Sequence, residues 1–210
     1  MLTEIIDTYI AEKNASIQRE NGKFRVSDAG RCRLMRLWKR QGKPFSDTPD
    51  ERTYRVFEVG HVFHVWLQEL LANKKVLLAS EFEVEDIHRI GHVDAIVNNG
   101  SGLILYDFKT VHSRKFSYIK KDADLHYHFQ AATYATMLPF GVEQALIAYV
   151  SKDDLRIQEV SVEVDVIGSQ VEEDWKLLIE AWENQVEPTP NPMSWECKYC
   201  NYQSSCTYRN

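Results

Sequence analysis

Apolar side chains recur at helical spacing over residues 2–20, at Leu2, Ile5, Ile6, Tyr9, Ile10 and Ile17, which predicts an amphipathic first helix. Ser27 is placed to cap a second helix that carries Cys32, Leu34, Leu37 and Trp38. After the loop GKPFSDTPDE, a third helix is expected from about Glu51 to Leu71, with Phe57, Val62, Phe63, Trp66, Leu67, Leu70 and Leu71 on a broad apolar face. The pattern then becomes alternating and β-branched. KVLLASEFEVED, IHRIGHVDAIV and GLILYDFKT read as three strands, and NNGSG between the last two is a hairpin signal.

A helix over about 122–138 follows, then strands QALIAYVSK and RIQEVSVEV joined by a turn at Asp153-Asp154, then a helix over about 166–186. The order of helices, three strands, helix, two strands and helix predicts an α/β (α+β) fold, with a mixed central sheet flanked by helices. The tail VEPTPNPMSWECKYCNYQSSCTYRN holds three of the six prolines and three of the four cysteines, so something other than regular hydrogen bonding must order it.

The chain has 210 residues, enough for one domain that buries a core without disulfide staples. Its run MLTEIIDTYIAEKN lacks the basic start and apolar middle of a signal peptide, and no stretch approaches the roughly 18–20 apolar residues of a membrane span. An intracellular protein that does not use a membrane is therefore expected. The net charge of −6 argues against a general nucleic-acid binder. It does not argue against a nuclease, whose metal site gathers carboxylates that bound cations neutralise. Any basic DNA path would be local: Arg31, Arg33, Arg36, Lys39 and Arg40 in one run, or Arg114, Lys115, Lys120 and Lys121 in another, each equally readable as a solvated face.

The chemistry concentrates in GHVDAIV and GLILYDFKT. Asp107 and Lys109 are two apart in a strand and share a face. The NNGSG hairpin would bring Asp94 beside Asp107, and two close carboxylates repel unless they share a cation. Mg²⁺ or Mn²⁺ suits such hard oxygen ligands, and water activated there can attack a phosphodiester. A lysine at this point could orient or deprotonate that water, or hold the phosphate. A lone D-x-K is more often two polar residues on an exposed strand. Here YDFK follows the buried-looking GLILY, where unpaired charge is costly.

Cys32, Cys197, Cys200 and Cys206 are the only cysteines, the last three spaced C-x2-C-x5-C. Without a secretory signal a disulfide framework is not expected. Zinc and an iron–sulfur cluster both suit the C-x2-C pair, and four unlinked thiols remain the simplest alternative.

GHVD, YDFK and the downstream HYHFQAATYATML together resemble the RecB-type branch of the PD-(D/E)XK nucleases, over roughly residues 25–207. The resemblance implies a restriction-endonuclease-like core in a single domain. It implies that His64, in Gly60-His61-Val62-Phe63-His64, joins Asp94, Asp107 and the Phe108 carbonyl as a metal ligand, with His61 and His92 as rivals. Lys109 would be the catalytic lysine. Gln130 and Tyr134 match the branch's Gln-x-x-x-Tyr motif and would position DNA, the glutamine by hydrogen-bonding a phosphate or the catalytic lysine, the tyrosine through its hydroxyl or by stacking a base on its ring. Glu81, Glu83 and Glu85 offer weaker alternative carboxylates.

The one-plus-three cysteine pattern is similar to that of the iron–sulfur members, including the CRISPR-associated exonuclease of Cas family four. It implies a cluster, 4Fe–4S in type, that joins residues 25–45 and 187–210 into one lobe. The implied activity is exonuclease action on single-stranded DNA ends, with a role in trimming CRISPR spacers beside integrase proteins. Alternatives are a phage or repair exonuclease outside CRISPR, or a non-catalytic DNA-binding subunit. The resemblance admits an oligomer, but nothing in these residues specifies one.

Overall fold

The computed structural model describes residues 1–16, 22–119 and 123–208. Helix α1 (Leu2–Ser16) is followed by the two-residue strand β1 (Phe24–Arg25), a 3-10 turn at Val26–Asp28, and helices α2 (Arg33–Arg40) and α3 (Glu51–Asn73). Strands β2 (Leu77–Glu85), β3 (Arg89–Asn98) and β4 (Leu103–Val111) come next, then the short α4 (Ser113–Phe116) and α5 (Leu125–Met137). Strands β5 (Gln144–Ser151) and β6 (Ile157–Ser161) and helix α6 (Val164–Glu183) complete the regular structure. The mixed sheet flanked by helices is as expected. Ile17, Lys120 and Lys121, named above, lie outside the described residues.

The sheet runs β1-β3-β4-β5-β6, with β2 antiparallel to β3 along its other edge. β3–β4 and β5–β6 are antiparallel pairs, and β1–β3 and β4–β5 are parallel. At the NNGSG turn the Asn99 side chain accepts hydrogen bonds from the backbone of Ser101 and Gly102, as an Asx turn does.

The site depends on where the β3–β4 ladder stops. Pairing runs only from Asn98↔Leu103 to Ala95↔Tyr106, while β4 stays paired with β5 as far as Val111. Beyond Tyr106 the two strands diverge into a fork, with Asp94 on one prong and Asp107 on the other. β1 pairs with the far end of β3, at Arg89 and Ile90, and borders the opening.

The core has two layers. On one face, Phe24, Leu105, Ile147, Tyr134, Trp175 and Leu178 pack the sheet against α5 and α6. On the other, α3 lays Leu67 over Ala95, Val97, Phe108 and Ala148. The broad apolar face expected of α3 is mostly open, since Phe57, Val62, Trp66 and Leu70 are exposed. The same is true of α1, where Leu2, Ile5, Ile6 and Tyr9 are exposed and Ile10 is buried. α1 is tied to α3 by ion pairs, Asp7 with Arg55 and Lys13 with Glu58.

Ser27 does not cap α2. It lies in the 3-10 turn, and the helix begins six residues later at Arg33. The tail supplies the acceptor instead, the Arg33 backbone N–H donating to Asn191 Oδ1 at 2.8 Å.

Candidate active site

Where the fork opens, the Phe108 N–H has no partner on β3, and the Asp94 carboxylate takes its place: Oδ2 accepts from it at 2.6 Å. Asp94 Oδ1 lies 3.3 Å from Nδ1 of His64, which α3 delivers from the other side. The Asp94 backbone carbonyl accepts from Gln68 Nε2 of the same helix at 2.9 Å. Burial opposes charge on His64, but the hydrogen bond and charge of Asp94 outweigh it and raise its pKa. Of the rival histidines, His61 is exposed, and His92 lines the opening 3.4 Å from Glu83.

Asp107 and Lys109 project together from β4 toward α5. Lys109 Nζ donates to Asp107 Oδ1 at 2.9 Å and to Gln130 Oε1 at 3.1 Å, and Gln130 Nε2 donates to the same Asp107 oxygen at 3.0 Å. The amide of Gln130 is thus engaged at both ends. Asp107 is 1% exposed, and burial pushes its carboxyl up to about 6, with Lys109 pulling it down and Asp94 adding to the rise. Its Oδ2 lies 2.8 Å from Nζ, out of hydrogen-bonding alignment, and has no hydrogen-bond partner among the described residues. Burial lowers the pKa of Lys109, but Asp107 and Asp94 more than compensate and hold it cationic.

Tyr134, one helical turn beyond Gln130, is 3% exposed. Its ring is interior and not open to a base, so the stacking expected of it is not available, although the residue lines the cavity. Gly91 makes room for it: a Cβ there would lie 2.7 Å from Tyr134 Cε1 and 2.8 Å from Val26 Cβ. This gives the glycine of GHVD a steric reason.

His64, Asp94, Asp107, Lys109, Gln130 and Tyr134 line one cavity of about 310 Å³. Arg25 and Ser27 also line it, and sequence reasoning missed both because the two-residue β1 has no period to read.

The sequence matches the PD-(D/E)XK nuclease superfamily over residues 32–207, spanning the acid–lysine fork and all four cysteines. The chain belongs to this superfamily. No curated protein matches it. The crystal structure of SSO0001 is similar over 100% of this chain and 98% of its own, with a TM-score of 0.67 and 20% identity. So is that of an alkaline exonuclease, LHK-Exo from Laribacter hongkongensis, over 79% of this chain and 90% of its own, with a TM-score of 0.53 and 10% identity. At these identities the likeness is one of fold.

PD-(D/E)XK nucleases generally use Mg²⁺ or Mn²⁺. Among the described residues no three His, Cys, Asp or Glu side chains are already gathered as a metal site. The donor chemistry fits such an ion all the same: two carboxylates and an imidazole face one cavity, and a buried carboxylate oxygen lacks a hydrogen bond.

The four cysteines are free thiols around a second cavity, of about 230 Å³. Leu34, Met35, Trp38 and Tyr202 form the apolar floor against which Cys32, Cys200 and Cys206 pack. Burial raises the Cys197 and Cys200 thiols, and neighbouring cysteines add to the rise. Glu196, 2% exposed, holds the segments together: it accepts from Arg31 Nε at 2.7 Å and from the backbone N–H of Cys32 and Met193 at 3.0 and 3.1 Å. No sequence signal separated this glutamate from a surface acid.

Three members of the first basic run are not available to DNA: Arg36 is buried against Asp174 and Trp175, Arg40 lies between Phe24 and Trp182, and Lys39 pairs with Asp28. No helix among the described residues is long and apolar enough to cross a membrane.

Proposed function

We propose that this chain is a Mg²⁺- or Mn²⁺-dependent deoxyribonuclease that removes nucleotides from the ends of single-stranded DNA. The observation that carries this reading is the meeting of His64, Asp94, Asp107 and Lys109 where β3 and β4 part. His64, Asp94, Asp107 and the Phe108 carbonyl would hold the ion. A divalent cation there stabilises charge developing on the scissile phosphate and activates water for attack.

The remaining roles belong to the chain. Lys109, beside both carboxylates, donates to a phosphate oxygen or orients the attacking water. Gln130 positions Asp107 and Lys109 relative to one another. Tyr134 lines the same cavity. The fold shared with an alkaline exonuclease favours action at DNA ends.

The four cysteines would hold an iron–sulfur cluster that fixes residues 25–45 and 187–210 as one lobe. The one-plus-three cysteine pattern carries this reading; the four line one cavity, but among the described residues they are not gathered as a metal site. Spacer trimming beside CRISPR integrase proteins rests on the sequence resemblance alone.

The test uses anaerobically purified protein with Mn²⁺ on linear and circular single-stranded DNA of one sequence. Progressive loss of linear DNA with the circle intact is expected. Equal cutting of the circle would make the enzyme an endonuclease, and no loss of either would remove the nuclease reading. Iron and sulfide at roughly four each per chain would support the cluster; stoichiometric zinc would replace it.

A further inference from the structure

Gln130 is occupied, Tyr134 is interior, and Arg36, Lys39 and Arg40 are neutralised or buried, so none of these offers the bases a platform. A different strip of side chains leads away from the catalytic lysine. Lys109 Nζ lies 4.6 Å over the Tyr127 ring, and Tyr127 meets His126 at a ring separation of 3.9 Å. His126 in turn meets Trp195 at 5.5 Å, and the Arg31 guanidinium lies 5.0 Å over the Trp195 ring. The strip joins α5 to the cysteine-bearing tail, with three rings in a row and a cation at each end.

We propose that Trp195, flanked by Arg31 and His126, is a stacking platform for a base of the single-stranded DNA whose phosphate is held at Lys109. This rests on the nuclease reading above. Several observations support it. Trp195 is 37% exposed although it follows a proline-rich run and precedes the fully anchored Glu196, so a large ring is held partly open on a fixed piece of backbone. Arg31 spends only Nε on Glu196, and its two terminal nitrogens have no hydrogen-bond partner among the described residues. His126 is 5% exposed, yet its Nδ1 has no hydrogen-bond partner among the described residues. Burial, then the charge of Arg31, holds this imidazole neutral, with a pKa down to about 4. The nearby acid, Asp124, lies 3.7 Å from Lys115.

The arrangement suits a single strand. A ring accepts the flat face of any base, and Arg31 adds attraction for the phosphate beside it. Gly30 sets the spacing. Its φ of +68° and a Cβ position only 3.0 Å from Phe129 Cβ and 3.2 Å from His126 Cα let the Arg31 loop lie flat on α5. An extended peptide could also stack on a tryptophan, but it would not need a catalytic lysine and an arginine at the two ends of the strip.

The experiment compares Trp195→Leu with Trp195→Phe in the full-length protein, on an oligo(dT) substrate and on an oligomer of the same length with an abasic backbone. Iron content and circular dichroism establish that each variant is folded. Loss of one stacked base predicts a KM for oligo(dT) about 5- to 150-fold higher in Trp195→Leu. kcat should move far less, Trp195→Phe should recover most of the loss, and the abasic substrate should show little difference among the three proteins.

Equal KM values on oligo(dT) for wild type and Trp195→Leu would overturn the platform and leave the nuclease reading intact. A loss of the same size on the abasic strand would assign Trp195 to packing of the lobe, and would also overturn it. Wild-type protein that neither binds nor degrades either oligomer would remove the nuclease reading and the platform together.

Discussion

Asp94 accepts a hydrogen bond from the Phe108 backbone N–H at 2.6 Å, at the point where β3 and β4 cease to pair. A side chain replaces a ladder bond there, so the fork stays open without leaving a buried donor unmet. The same carboxylate reaches His64, so one residue both holds the backbone apart and arranges the donors inside the gap.

These two duties separate by substitution. Asp94→Asn keeps an oxygen for the Phe108 N–H and should leave the melting temperature close to wild type, with cleavage lost. Asp94→Ala removes both and should also cost about 1–3 kcal/mol through the unpaired N–H. Thermal melts beside nuclease assays read both effects. Equal melting of the two variants would contradict the backbone role.

Gln130→Ala should lower activity roughly 10- to 100-fold with little change in fold, because the amide orients the Asp107 carboxylate and Lys109 rather than touching substrate. The loss should fall on kcat or on Mn²⁺ affinity. A change confined to the KM for DNA would place the side chain on the substrate instead.

Gly91→Ala should destabilise the protein by about 1–3 kcal/mol, since the added methyl overlaps Tyr134 and Val26. Val26→Ala in the same chain should recover part of that loss. A double-mutant cycle from denaturant melts checks the coupling, and strictly additive effects would refute the contact.

Much of the fork was legible in the sequence. The two-residue spacing of Asp107 and Lys109, the hairpin turn and the i, i+4 spacing of Gln130 and Tyr134 are local patterns, and local geometry follows from them. What was not legible depends on distant partners. Arg36 reads as a surface cation until Asp174, far along the chain, is seen to neutralise it. Glu196 reads as a surface acid until Arg31 and Cys32 close around it. Apolar period marks a face of α1 and α3 but not whether anything covers it, and Ile5 and Phe57 on those faces are exposed.

His126 predicts a pH signature in stability. Its folded pKa, depressed to about 4, lies below the roughly 6.5 of an unfolded histidine, so between those values the unfolded chain binds more protons. Stability should fall as pH drops through that window, by on the order of 3 kcal/mol from this group. His126→Phe should flatten the dependence, and denaturant melts at pH 7 and pH 4.5 measure it. An unchanged slope in the variant would assign the effect elsewhere.

The central claim, that the His64–Asp94–Asp107–Lys109 fork is a cation-dependent nuclease centre, is tested most directly by cleavage of end-labelled single-stranded DNA with Mn²⁺ and with EDTA, comparing wild type, Asp107→Asn and Lys109→Ala at matched fold. The account predicts cleavage by wild type that EDTA abolishes, and cleavage at background in both variants. Undiminished cleavage by either folded variant, or by wild type in EDTA, would contradict it.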